Sequence, residues 1–139
     1  SPTQVGAETT WKEIIGRPAY GFHAIKTDGT LWTWGTGGQG NLGLNDNTQR
    51  SSPTQVGTAT IWDTFSTQCL GNKIAGALKT DGTLWSWGYS YWGELGQNGR
   101  WPGPNASFSS PTQVGSFQGC SSFALGNYNM VYVRDVDTL

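Results

Sequence analysis

The sequence predicts an all-β fold of tandem four-stranded propeller blades, about two and a half of them, forming part of a larger propeller or assembly. Two repeated blocks and an unusual composition predict it. The hexapeptide Ser-Pro-Thr-Gln-Val-Gly begins at Ser1, Ser52 and Ser110. The block Lys-Thr-Asp-Gly-Thr-Leu-Trp-x-Trp-Gly runs Lys26–Gly35 and again Lys79–Gly88, 53 residues further on. Of 139 residues, 21 are glycine and eight tryptophan, and only 12% are charged. Disordered chains combine low hydrophobicity with few aromatics. Here 13% of residues are aromatic, enough bulk for a packed core.

A third block, Gly-x-Leu-Gly at Gly40–Gly43 and Gly93–Gly96, keeps the same order and spacing. The period divides the chain into a first repeat at 1–51, a second at 52–109 with a loop insertion, and a partial third at 110–139. In the third pass Val133–Leu139 aligns with Ile25–Leu31, the pair Asp28-Gly29 becoming Val136-Asp137, and no Trp-x-Trp-Gly follows.

The blocks read as strands. Ala24–Thr27 and Thr30–Trp34 flank Asp28-Gly29, and Ala77–Thr80 and Thr83–Trp87 flank Asp81-Gly82. An Asp-Gly pair between β-formers predicts a two-residue type I′ turn, in which both residues take positive φ. Trp11–Ile15 and Trp62–Phe65 predict a further strand, and Thr3-Gln4-Val5 a short fourth one. No segment sustains a 3.6-residue period, so very little helix is expected. Strand alternation puts Leu31 and Thr33 on one face and Trp32 and Trp34 on the other, with Leu84, Ser86, Trp85 and Trp87 repeating the pattern. A single blade cannot bury both faces, so these tryptophans are expected to be mostly buried between blades.

Asp-Gly-Thr-Leu-Trp-x-Trp-Gly, then Gly-x-Leu-Gly, then Ser-Pro-x-x-Val resembles the regulator of chromosome condensation repeat, over essentially the whole chain. The wording of the blocks is similar to the bacterial, phage and environmental branch of that family. The resemblance implies four-stranded blades, usually seven to a closed ring. Family repeats often carry a histidine before the hairpin. His23 fits that place, but Gly76 holds it in the second repeat. The founding member is a guanine-nucleotide exchange factor on chromatin, and no matching basic tail or arm carries that activity over.

Several functions are disfavoured by the residues themselves. Eight basic and nine acidic residues give a net charge of −1, and the basic ones are scattered, so no nucleic-acid partner is expected. No stretch reaches the roughly 18 apolar residues of a membrane span. His23 is the single histidine, with neither a serine elbow nor a second metal ligand at suitable spacing. Asp28 and Asp81 are good turn residues before they are acid–base candidates, and Glu94 stands alone. Gly35–Gly40 lacks the Gly-Lys-Ser/Thr ending of a phosphate loop. No catalytic, cofactor or metal residues are therefore expected. Cys69 and Cys120 hold non-equivalent positions and form no disulfide framework; pairing would need Cα atoms within roughly 7 Å.

The candidate binding surface is Tyr89, Tyr91, Trp92, Arg100 and Trp101, in or beside the loops where the second repeat departs from the first. Aromatics and arginine dominate binding hot spots. Asn105 opens an Asn-Ala-Ser sequon, a candidate glycosylation site. The expectation is a non-catalytic structural or adhesive binding module, extracellular or on a virion surface. The alternatives are an inhibitor or regulatory propeller that caps another protein and, less favoured, a carbohydrate-binding or carbohydrate-active protein. The expected partners are other protein chains or further copies of this one, and glycans in the carbohydrate reading. About 2.6 blades do not close a ring, so further blades of a longer polypeptide, or other copies in a ring or fibre, are expected to complete the packing.

Overall fold

The computed structural model describes residues 1–17, 19–66, 73–89, 95–96, 107–126 and 129–135. The first sheet runs β1 (Trp11–Arg17), β2 (Gly21–Lys26), β3 (Leu31–Gly35) and β4 (Arg50–Gln55), neighbours in chain order and antiparallel. The second repeats it with β5 (Trp62–Phe65), β6 (Ile74–Lys79), β7 (Leu84–Tyr89) and β8 (Ser107–Gln113). A third pairs β9 (Cys120–Leu125) with β10 (Met130–Arg134). Among the described residues the other assigned element is a 3-10 turn at Gly38–Gly40. The chain is all-β, in about two and a half blades.

The sequence repeat and the sheet are out of phase. The second and third hexapeptides end β4 and β8, so each forms the last strand of the preceding blade. Val56 N–H donates to the Leu31 carbonyl at 2.8 Å, and Val114 N–H to Leu84 at 2.8 Å, extending that pairing. The sheets therefore straddle the repeat divisions at 51/52 and 109/110. The first hexapeptide contains no strand, against the expectation for Thr3-Gln4-Val5. A strand needs a neighbour for its N–H and C=O groups, and that stretch pairs with none of the described strands.

The Asp-Gly turns stand where expected but differ in type. Gly29 N–H donates to the Lys26 carbonyl at 3.0 Å, and Lys26 N–H to the Thr30 carbonyl at 3.0 Å. Gly29 has φ +79°, whereas Asp28 is absent from the positive-φ residues. This is a three-residue loop over Thr27–Gly29, a type I turn closed by a left-handed glycine, and not a two-residue type I′ turn. The second hairpin is the same, with Gly82 N–H on Lys79 at 2.9 Å, Lys79 N–H on Thr83 at 3.0 Å, and Gly82 at φ +78°. The aspartate side chain explains the choice: its carboxylate accepts the N–H two residues on, an Asx arrangement that leaves Asp28 itself right-handed.

Blades pack face to face. Ile25, Leu31 and Val56 of the first meet Trp62, Phe65, Ala75, Ala77 and Trp87 of the second. Ile74, Leu78, Leu84 and Val114 of the second then meet Cys120, Phe123 and Leu125 of the third. The face carrying the paired tryptophans thus meets the aliphatic face of the blade before it. Trp87 is 0% exposed because the first blade covers it. Trp34, its equivalent one repeat earlier, is only half-buried, as are Trp32 and Trp85, so the expectation of mostly buried tryptophans holds fully for Trp87 alone. Ile14 is 53% exposed while its equivalent Phe65 is 2% exposed. At the other end Val131 and Val133 point outward from the third sheet, exposed.

The turns tie the blades together. Trp62 N–H donates to the Gly29 carbonyl and Cys120 N–H to the Gly82 carbonyl, each at 3.0 Å. Glu13 adds a second tie, accepting from Phe65 N–H at 3.0 Å and from the Thr64 hydroxyl at 2.9 Å. A Cβ on Gly29 would collide with the Thr60 carbonyl, in addition to the strain of its positive φ. Gly29→Val is therefore expected to destabilise the chain by about 2–3 kcal/mol. Gly38→Ala, which has open space, should stay within about 0.5 kcal/mol of wild type, with urea titration of both variants as the check.

Candidate functional site

Three features carry chemistry: a relay in each hairpin, a cation held on tryptophan rings, and a buried histidine. In the first relay the Thr30 hydroxyl donates to Asp28 Oδ1 at 2.6 Å and Thr30 N–H to the same oxygen at 3.0 Å. Trp32 Nε1 then donates to Thr30 Oγ1 at 2.7 Å. Asp81, Thr83 and Trp85 repeat it at 2.6, 3.0 and 2.7 Å. The hydrogen bonds from Thr30 and Thr83 hold both carboxyls below the usual aspartate range. These aspartates anchor the turn and orient an indole, each through its Oδ1.

That orientation makes a platform for lysine. Lys26 Nζ lies 3.7 Å from the centroid of the Trp32 ring and 4.9 Å from Trp11. Lys79 Nζ lies 3.7 Å from Trp85 and 4.7 Å from Trp62. Cation–π geometry of this kind contributes about 0.5–2 kcal/mol, more as water is excluded. The two lysines look scattered along the sequence but are register equivalents. Burial holds the Lys79 ammonium below the usual lysine range. Beside it a pocket of about 450 Å³ opens at the rim of the first interface, lined by Leu44, Val56, Ala59, Trp62, Lys79 and Pro111 among others.

His23 is buried in that interface. Its ring centroid stands 5.7 Å from Trp87 and 6.4 Å from Phe65. Its Nε2 donates to the Asn41 carbonyl at 2.8 Å, and Trp87 Nε1 donates to the same oxygen at 3.1 Å. Asn41 is held by its own side-chain NH₂, which donates to the carbonyls of Tyr20 and Thr36. Burial pushes the His23 pKa down to about 4, against a smaller raising effect of the Asn41 bond. A neutral imidazole wedged among rings is a packing element. The space explains Gly76 at the equivalent place: a Cβ there would meet Phe123 Cε2 at 2.8 Å.

Of the candidate surface residues, Tyr89 ends β7, half-buried, with Lys73 Nζ 5.8 Å from its ring centroid. Tyr91, Trp92, Arg100, Trp101 and the sequon Asn105 lie outside the described residues, as do Glu94 and Cys69. Cys120 is a free, buried thiol whose pKa burial pushes up. Among the described residues no group of three or more His, Cys, Asp or Glu could hold a metal ion. No helix among them is long and apolar enough to cross a membrane. Neither lysine by itself marks a lysine–tryptophan platform; the sequence signal for the pair is the 53-residue spacing of Lys26 and Lys79.

Four-stranded antiparallel sheets packed face to face in series, each tied to the next through its hairpin glycine, define a β-propeller repeat protein. The chain belongs to the family of the Regulator of chromosome condensation (RCC1) repeat, which it matches at residues 28–68 and 81–133, more than half of its length. It is similar to the Ultraviolet-B receptor UVR8 of Arabidopsis thaliana, 38% identical over 73 residues, which is 52% of this chain and 16% of that protein. Its fold is that of human WBSCR16, with a TM-score of 0.75 at 19% identity over 95% of this chain and 33% of that one. It is likewise that of Prp20p from Saccharomyces cerevisiae, with a TM-score of 0.71 at 20% identity over 90% of this chain and 31% of that one. The chain thus spans about a third of the length of these structures.

The histidine generates a pH dependence. The folded chain protonates His23 near pH 4 and the unfolded chain near 6.5, so the unfolded state binds more protons between those values. Stability is complete above pH 6.5 and falls as pH drops toward 4, by about 3 kcal/mol in all and about 2 kcal/mol between pH 7 and 5. Urea titrations at those two pH values should show this loss, and His23→Gln should flatten it.

Proposed function

We propose that this chain is a non-catalytic propeller module that binds other proteins in a structural or adhesive role, outside a cell or on a virus particle. The observation that carries the reading is the use made of its polar groups. The Asp28 and Asp81 carboxylates are spent on turns, and His23 is buried, neutral and bonded to a carbonyl. These groups stabilise a scaffold, and binding is left to the loops joining the strands, where rigid folds place it. Prp20p, of the same fold, is described by its binding to Gsp1p and histones, which supports protein partners as the class without naming one here. Low charge with many aromatics suits an exposed, durable setting.

Two measurements test the proposal. The chain immobilised on a sensor should select binders from a peptide-display library, and substitution of the loop at 36–49 should weaken their binding. Retention of glycans on an array, with no peptide selected, would overturn the protein-binding reading in favour of a carbohydrate module. The second concerns the exposed faces around Ile14 and around Val131 and Val133. Faces of that composition are covered wherever two blades of this chain meet, and we propose that further blades cover them in the native particle. Native mass spectrometry of the 139-residue chain should give oligomers of the 15.0 kDa unit. A monodisperse monomer that unfolds cooperatively would show that the faces need no cover.

A further inference from the structure

The blades contain an internal comparison at one position. Seven residues into each hexapeptide-led segment stand Glu8, Ala59 and Phe117. The strand cation that each of them accompanies is Lys26, Lys79 and Arg134, respectively. The equivalence of Arg134 with Lys26 follows from backbone bonds: Asp135 N–H donates to Gly119 as Thr27 N–H donates to Thr10, at 2.8 and 2.9 Å. In the first segment Glu8 forms an ion pair with Lys26. In the third, the Phe117 ring lies 5.1 Å from the Arg134 guanidinium carbon. In the second, Ala59 reaches nothing comparable, and the space is the pocket of about 450 Å³ beside Lys79.

We propose that this pocket binds a glutamate side chain presented by an extended segment of a partner protein. The contact would reproduce in trans the pairing that Glu8 makes with Lys26 in cis. Two observations favour that occupant. Lys79 has the same indole platform as Lys26, with Asp81 placed as Asp28 is, so what the second site lacks relative to the first is the glutamate. The walls contributed by Leu44, Val56 and Pro111 suit the aliphatic part of the side chain and its backbone. The depressed Lys79 pKa agrees, since a desolvated ammonium gains by receiving an anion.

This deepens the protein-binding reading and rests on it, but its failure leaves that reading intact, because a partner can engage the loops instead. The test uses the full chain with lysine side chains labelled for NMR, Lys79 assigned by loss of its signal in Lys79→Gln. The probe is a capped tetrapeptide with the sequence of residues 7–10, Ala-Glu-Thr-Thr. It should shift the Lys79 signal and leave Lys26 unmoved, and its Gln counterpart should bind roughly 10-fold more weakly. Ala59→Glu should move the Lys79 signal by itself and abolish the response to peptide. Ala59→Phe, copying the third segment, should abolish the response without a new carboxylate. Equal binding of the Glu and Gln peptides overturns the proposal, as does an undiminished response in both Ala59 variants. A response to sodium acetate at the same concentration as the peptide overturns the protein-segment part and leaves a small-carboxylate site.

Discussion

Burial in this chain depends on a neighbouring blade more than on the residue buried. Trp34 and Trp87 have the same sequence surroundings and register, yet Trp87 is wholly buried and Trp34 half-buried. Ile14 and Phe65 differ in the same way. Each blade offers an aliphatic face, represented by Ile25 and Leu31 or by Leu78 and Leu84, and an aromatic face. The apolar free energy of a blade, at about 25 cal/mol per Å², is realised only where an aliphatic face closes on an aromatic one. The structure is a series of such closures, with stability passing from neighbour to neighbour.

The hairpin is where this packing is connected to covalent structure. Asp28 fixes the turn, Thr30 passes that orientation to Trp32, and Trp32 carries Lys26. On the far side of the same turn, the Gly29 carbonyl accepts the first strand N–H of the next blade. A single five-residue motif, Asp-Gly-Thr-Leu-Trp, therefore sets the turn, supplies a core leucine, orients the aromatic platform and anchors the following blade. Glycine is required both for its positive φ and for the approach of Thr60. The need for such close backbone contact explains why this motif is identical in the two full repeats while the loops after it are not.

Polar groups buried between blades are accommodated singly and differently. The Asn41 carbonyl takes donors from two blades, His23 and Trp87. Ser86 donates to the Leu95 carbonyl at 2.7 Å, whereas Thr33 at the equivalent place has no hydrogen-bond partner for its hydroxyl among the described residues. Such positions differ because each interface has its own local volume: His23 occupies space that in the next interface belongs to Phe123. The same logic separates Glu8, Ala59 and Phe117. Variation within a repeat that is otherwise constant marks where one blade has a different task from the next.

The sequence by itself determined the all-β class, the sites of both hairpins and the faces of Leu31 and Trp32. These follow from the two-residue pleat and from local turn chemistry, which depend on adjacent residues alone. It also contained the lysine–tryptophan platforms, visible as a shared spacing, but nothing local says that Lys26, four residues before Thr30, folds over Trp32. Tertiary structure decided the rest. It placed the hexapeptide on the preceding blade, because a strand takes whichever edge is open to it. The local Asx bond of Asp28 favours a three-residue turn, and tertiary structure then holds it there through the Gly29 contact with Trp62 and the close approach of Thr60. His23 became a neutral packing group because a second blade removed its water. Which tryptophans are buried was set the same way, by contact between residues about fifty positions apart, and no local pattern carries that information.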